Sequence, residues 1–251
     1  MSRITRTVVV GDVHGCLEEL DQLLVKLRLK PDDRLVFCGD LIDRGPDPVG
    51  VVRRVRELGA VSVQGNHCEK HLRYRRHAKR ALAEPGYKNP MRPMFGPKLE
   101  QHNSFSEADW HFMEAMPLYI RIDNWVVLHA GLQPGIQIEA QKPNVLVRMR
   151  YLKLDTGKML KLGQELADPA TAAFWSTVWT GPENVIYGHH VHRGVAIDEP
   201  APGVKCIGID TGCVFGRSLT AAVLEDGTLK GFVDVPAKDT YYKRWENDED
   251  D

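Results

Sequence analysis

The chain has 251 residues, 43% of them hydrophobic and 27% charged, with a formal net charge of -1. Such a composition is that of an ordinary globular protein sized for a single large domain, and the near-zero charge excludes nucleic-acid binding driven by a global positive field. No stretch approaches the roughly 18 apolar residues of a membrane span and Met1 to Arg6 runs into a strand pattern without an apolar signal segment, so the expected setting is the cytoplasm, with neither membrane nor nucleic acid as partner.

Thr7 to Val10 is a β-branched run that stops at Gly11, and Leu17, Leu20, Leu24 and Leu27 then recur at helical spacing. Strand, loop and amphipathic helix are predicted over 7–29. The unit repeats: Arg34 to Cys38 reads as a short buried strand, residues 39–48 as a loop and Val49 to Leu58 as a helix. A third strand, Val61 to Val63, ends at Gln64 and Gly65. The three loops carry Asp12, Asp40 and Asn66 at steps of 28 and 26 residues, about the length of a βαβ turn, which places all three at one sheet edge.

His67 to Leu82 continues as a helix rich in Lys70, Arg73, Arg75, Arg76, Lys79 and Arg80, either a solvated face or a funnel for a polyanion. Residues 84–104 are rich in Pro and Gly and read as an irregular excursion, a lid or a long surface loop. Ser106 is an N-cap with Asp109 three residues on, and Trp110, Met113 and Met116 form the following apolar stripe. Tyr119 to Ile122 and Trp125 to Leu128 form a hairpin across Asp123-Asn124 that delivers His129. After a segment of weak pattern, Asn184 to Tyr187 runs to Gly188-His189-His190. Val204 to Ile209, Leu219 to Leu224 and Leu229 to Val235 complete the strands, the last two joined by an Asp226-Gly227 turn. The expected organisation is one domain over 1–245, with an excursion around 68–117, and an acidic, disordered tail over 246–251.

Five cysteines, Cys16, Cys38, Cys68, Cys206 and Cys213, odd in number and without C-x-x-C spacing, argue against a zinc ribbon or a disulfide framework. They read mostly as small buried hydrophobes. The strand ends instead collect Asp12 and His14, Asp40, Asn66 and His67, His129 and His189. Oxygen and nitrogen donors without thiolate suit manganese, iron or zinc. With Asp40 shared, the set suffices for two divalent ions, one on Asp12, His14 and Asp40, the other on Asp40, Asn66, His129 and His189.

Gly-Asp-Val-His-Gly at 11–15, Gly-Asp-Leu-Ile-Asp-Arg-Gly at 39–45, Gly-Asn-His at 65–67, His-Ala-Gly at 129–131 and Gly-His at 188–189 resemble, in order and separation, the calcineurin-like metallophosphoesterases. The Asp-Arg-Gly element looks like the phosphoprotein phosphatase branch. Residues 145–152, with Arg148-Met149-Arg150, and 209–215 are similar to the bacterial diadenosine tetraphosphatases. The resemblance implies an α/β fold, a four-layer α/β/β/α sandwich with the metals at the strand ends. It also implies a metal-bridging hydroxide, held between two ions about 3.5–4 Å apart, for direct in-line attack on phosphorus. Manganese is the first choice of ion, with iron, zinc, cobalt or nickel as alternatives.

Within that resemblance Arg44 and Arg148 bind phosphate oxygens, and Arg150 substitutes for or assists Arg148. His67 is the general acid for the leaving oxygen, and Asp43 orients its imidazole. The substrate is a phosphorylated small molecule such as diadenosine tetraphosphate, or a phosphopeptide. Arg148-Met149-Arg150 and the long excursion favour the first. Asp43, usual in phosphoprotein phosphatases and usually lacking in the tetraphosphatases, favours the second. A silent metal-binding scaffold would lack a motif residue, and none is lacking. His190, His192 and Asp210 read as structural, with substrate contact by one of the two histidines as the rarer alternative, and Tyr87, Phe95, Trp175 and Trp179 as packing residues with base stacking as the rarer alternative.

Overall fold

The computed structural model describes residues 6–161 and 163–243. The β-branched runs pair as their period demands. Strands β1 (Arg6–Val10), β2 (Arg34–Phe37) and β3 (Val61–Ser62) are parallel neighbours, crossed over by α1 (Leu17–Leu27) and α2 (Pro48–Glu57). Asp47 caps α2 through Gly50 N–H, with Pro48 in the first turn where its missing donor costs nothing. Helices α3 (Asn66–Ala83), α4 (Gly96–Ser104) and α5 (Glu107–Glu114) follow, the last opened by a capping box of Ser106 and Asp109.

The second half supplies the hairpin β4 (Tyr119–Ile122) and β5 (Trp125–Leu128), helix α6 (Pro143–Arg148), a two-stranded ribbon of β6 (Tyr151–Lys153) and β7 (Ala172–Phe174), then β8 (Asn184–Tyr187), β9 (Ala196–Ala201), β10 (Val204–Gly208), β11 (Ser218–Glu225) and β12 (Thr228–Pro236). One five-stranded sheet has the order β12-β11-β1-β2-β3, the other β4-β5-β8-β10-β9. Chain direction is mixed in both.

Alternation along the strands sorts the core into three layers. Val9 and Val36 of the first sheet meet Trp125, Val127, Ile186 and Ile207 of the second. Val8, Val10, Leu35 and Phe37 face the opposite way onto Leu20, Leu23, Val51 and Val55 of α1 and α2. Val126, Leu128, Val185 and Tyr187 face Leu146, Trp175 and Trp179. Two sheets back to back with helices outside is the α/β/β/α sandwich, and each fully buried Val or Leu adds about 1.5–3 kcal/mol.

Three departures from the sequence reading have local causes. Helix α4 lies inside the stretch expected to be irregular; His102 is its one buried residue, so it carries no apolar stripe to read. The ribbon of β6 and β7 falls in the segment of weak pattern. Strand β9 is an edge strand with a bulge against β10 and no buried position, so only its partner defines it. Trp175 and Trp179 are fully buried behind the second sheet, which excludes them from stacking on a base.

All five cysteines are free and buried. Cys16 and Cys213 gather with Glu19 in a separate buried cluster, where Glu19 Oε1 accepts the Lys238 N–H at 3.0 Å and the Tyr241 O–H at 2.8 Å. That carboxylate ties the chain after β12 to α1. Among the described residues no helix is long and apolar enough to cross a membrane; the tail expected over 246–251 lies outside them.

Candidate metal centre

Parallel pairing of β1, β2 and β3 carries the loops holding Asp12, Asp40 and Asn66 to one edge, and parallel pairing of β5 with β8 does the same for His129 and His189. The side chains converge there, all at least nine-tenths buried. His14, Asp40 and His67 form one group of donor atoms and Asp40, His129 and His189 a second, so Asp40 belongs to both.

The backbone is bent to achieve this. His14, Asp40, Asp43, Arg44 and His189 all have positive φ, between 42° and 71°, a region that costs a non-glycine residue about 1 kcal/mol or more. Glycines let backbone and carboxylate approach: a Cβ on Gly65 would overlap the Asp40 carboxylate, and one on Gly188 would overlap Asp12. Asp40 Oδ1 accepts the N–H of His67 at 3.1 Å, so it caps the otherwise uncapped start of α3 and sits at the positive end of that helix. Its Oδ2 is left facing imidazoles, at 3.3 Å from His129 Nε2, 3.7 Å from His14 Nε2 and 4.0 Å from His67 Nε2.

The histidine tautomers follow from their outer partners. His14 Nδ1 donates to the Ile42 carbonyl and His129 Nδ1 to the Cys38 carbonyl, both at 2.8 Å, which leaves a lone pair on each Nε2 of a neutral ring. His129 Nε2 nonetheless lies 2.9 Å from Asn66 Oδ1, and the same oxygen is 3.0 Å from His189 Nδ1. With Nδ1 spent on Cys38, a neutral His129 sets its Nε2 lone pair against the Asn66 oxygen, a contact that a cation would relieve. Asp12 gives Oδ2 to the His189 N–H at 2.9 Å, while Asp12 Oδ1 and His189 Nε2 have no hydrogen-bond partner among the described residues. The donor set fits divalent ions.

The electrostatics point the same way. Burial, then the charges of Asp210 and Asp40, raise Asp12 well above the usual carboxylate range. Burial pushes Asp210 up to about 6, although Gly212 N–H and Arg44 favour its charge. Burial would raise Asp40 too, but His129 and His67 outweigh it and hold it well below that range. Burial, then Arg44 and His67, bring His14 down to about 3; burial, then Arg150, hold His189 well below the usual imidazole range. Neutral imidazoles and carboxylates crowded against their own repulsion are the state a cation relieves. Asp210, read as structural in the sequence, is thus an electrostatic neighbour of the cluster.

Arg44 reaches the cluster. Its Nη1 is 3.2 Å from His14 Nε2 and its guanidinium lies over the rings of Phe215 and Tyr242, at 5.4 and 5.3 Å. The two arginines of the 148–150 segment part company. Arg150 Nη2 donates to the His189 carbonyl at 3.4 Å. Arg148 is turned to Glu69, at 2.7 Å, and to Asn144, in a depression that includes none of the cluster residues. Much of the basic charge of α3 is paired as well, Arg73 with Glu69, Arg75 with Glu107 and Arg80 with Glu84.

Asp43 stands beside the cluster and accepts from His67 Nδ1 at 2.7 Å. The sequence reading contains none of its other partners, His71, Lys98 and Gln101; a helix period of four from His67 to His71 was the one available signal. A cavity of about 690 Å³ opens next to Asp43 and Arg44, walled by Phe95, Lys98 and Gln101 of the excursion and by Tyr242. Phe95 is 75% exposed at its rim, whereas Tyr87 is engaged by His77 and Arg80.

Comparison with known proteins places this geometry. The profile described as Calcineurin-like phosphoesterase matches residues 5–230. The bis(5'-nucleosyl)-tetraphosphatase PrpE [asymmetrical] of Bacillus subtilis is 33% identical over 238 residues, covering 84% of this chain and 88% of that protein. The symmetrical bis(5'-nucleosyl)-tetraphosphatase of Methylococcus capsulatus is 29% identical, covering 94% and 96%. A crystal structure of a candidate diadenosine tetraphosphatase superposes with a TM-score of 0.73 at 32% identity, over 93% of this chain and 94% of that one.

Proposed function

This chain belongs to the calcineurin-like phosphoesterase family and is a metallophosphoesterase, and from that premise we propose that it hydrolyses the phosphoanhydride bonds of dinucleoside polyphosphates with two divalent cations. The observation that carries the two-cation reading is Asp40 Oδ2 between two sets of acceptor atoms, His14 on one side and Asn66, His129 and His189 on the other. For the substrate class, the support is the resemblance to relatives named as tetraphosphatases across most of their length. The adjoining cavity, about 690 Å³, is of the size that takes a small ligand.

Bound there, the cations supply Lewis acidity at phosphorus and a water of lowered pKa as nucleophile. Manganese remains the first choice. The protein's own groups do the rest. Asp12, His14 and Asp40 would hold one ion, and Asp40, Asn66, His129 and His189 the other. Arg44 presents paired N–H donors to the phosphate oxygens, steadied by Phe215 and Tyr242. Arg150, beside His189, is the second arginine of the site in preference to Arg148, which Glu69 engages. His67 gives its Nδ1–H to Asp43; doubly protonated, with the carboxylates of Asp43 and Asp40 on its two sides, it would carry a second proton on Nε2 for delivery to the leaving oxygen.

A second reading, phosphoprotein hydrolysis, is favoured by the Asp43–His67 pair. One experiment decides both points. Protein stripped of metal is expected to be inactive and to recover with manganese; full activity when stripped removes the two-cation reading. With metal restored, kcat/KM for diadenosine tetraphosphate is expected to exceed that for inorganic polyphosphate and for a phosphopeptide by about 100-fold or more. Product analysis then separates AMP plus ATP from two ADP.

A further inference from the structure

The carboxylate of Asp43 is outside both donor groups, yet it is the most heavily engaged side chain near them. An ionised carboxylate offers about four lone-pair positions, and three hydrogen bonds and one ion pair converge on this one. Oδ2 takes a hydrogen bond from His67 Nδ1 at 2.7 Å and has the Lys98 ammonium paired with it at 3.1 Å; Oδ1 takes His71 Nε2 at 2.9 Å and Gln101 Nε2 at 2.8 Å. Burial alone would raise Asp43, but the hydrogen bonds from His67 and His71 hold it well below the usual carboxylate range.

His71 is fully buried, one helical turn after His67 on the same face of α3. A leucine would fill such a position at no desolvation cost, whereas an imidazole there costs stability unless both nitrogens are satisfied. They are. Nε2 lies 2.9 Å from Asp43 Oδ1, and Nδ1 lies 3.2 Å from His102 Nδ1. His102, brought down to about 4 by burial, then by His71 and Arg75, is neutral and can be the donor. His102, His71 and Asp43 thus form one buried ladder of polar contacts. Lys98, Gln101 and His102 all come from α4, so the excursion expected as a lid or a long surface loop reaches the back of the carboxylate that His67 uses.

We propose that His71 and Gln101 are positioning residues for the hydrolysis: by holding Asp43 Oδ1 in place, they fix the carboxylate that aims His67 Nε2 at the leaving oxygen. The proposal rests on the reading of His67 as proton donor. It makes the docking of α4 part of the acid catalyst.

The test compares two aryl esters on the metal-loaded full chain: phenyl phosphate, whose leaving group needs a proton, and p-nitrophenyl phosphate, whose leaving group departs without one. Wild type, His71→Leu, His71→Gln and Gln101→Leu are measured beside His67→Asn, with metal content checked in each. His71→Leu is expected to lose about 10- to 100-fold in kcat on phenyl phosphate and no more than about 3-fold on p-nitrophenyl phosphate, with KM little changed. His71→Gln, whose amide nitrogen can still donate to Asp43, is expected to recover most of that loss. Gln101→Leu should show the same selectivity at smaller amplitude, and it decides the matter if His71→Leu does not fold. Equal losses on the two esters, or none, in both leucine variants would overturn the proposal. If His67→Asn itself shows no selectivity, the acid assignment fails and the proposal with it. Selectivity in His67→Asn alone sinks only the positioning roles.

Discussion

Asp40 and Asp43 lie in the same turn, both with positive φ and both at most 4% exposed, yet their surroundings differ in kind. Asp40 Oδ1 takes the His67 N–H, but around its Oδ2 the neighbours are His14 and His129 Nε2, with the Asn66 oxygen and an unpartnered oxygen of Asp12 close by. Around Asp43 the neighbours are donors or a cation, with hydrogen bonds from His67, His71 and Gln101 and the Lys98 ammonium at 3.1 Å. A carboxylate left among acceptors is prepared for a cation. One surrounded by donors is prepared to hold something still. Two chemically identical side chains three positions apart thus acquire different tasks from the polarity of what packs on them.

The sharpest way to break that contrast is to remove each carboxylate in turn. Asp40→Ala is expected to abolish stoichiometric metal binding and to lower kcat by about 1000-fold or more, whereas Asp43→Asn should keep both ions and lose about 100-fold. Metal analysis by mass spectrometry reads the difference, and loss of metal from Asp43→Asn would erase the distinction. The arginines sharpen it next. Arg150→Ala is expected to reduce kcat/KM by about 10- to 100-fold and Arg148→Ala by no more than about 3-fold, because only the former stands at His189. Equal effects would mean that substrate binding redirects Arg148 away from Glu69.

The smallest effect is one of pH on the metal-free protein. His14, down at about 3, and His189, well below the ordinary imidazole range, stay neutral when folded, while their unfolded counterparts take protons below about pH 6.5. Their contribution to stability is therefore whole above pH 6.5 and is lost as pH falls, by at most about 1.4 kcal/mol per imidazole per pH unit. Asp43, with its lowered folded value, acts in the same direction at more acid pH. Asp210, pushed up to about 6, takes up its proton in the folded state first and opposes the loss between about 6 and 4. Urea midpoints at pH 7.5, 6 and 5 should fall in that order. A rise would show that the crowded carboxylates, Asp12 and Asp210, dominate the cluster.

The regular spacing of Asp12, Asp40 and Asn66 made the first sheet and its loop edge readable, since each βαβ step must return the chain to the same side. His129 and His189 were readable for a related reason, each ending an apolar strand at the same edge of the second sheet. Helix α4 was not, because its nine residues bury only His102 and leave no period to see. Nor could sequence choose between Arg148 and Arg150. Two positions apart at the end of α6, they diverge because Glu69 on α3 draws one guanidinium away while the other remains at the His189 carbonyl.

By itself, the sequence determined which side chains stand at strand ends, because strand period and crossover length are local properties of the chain. Only the tertiary structure decided what faces Asp43. His71 and His102 come from α3 and α4, and Lys98 and Gln101 from α4 alone, and no local rule sets how one helix packs on another; that depends on side chains far apart in sequence meeting across the interface. The Asp40 site is thus written in loops, and the support of its neighbour in packing.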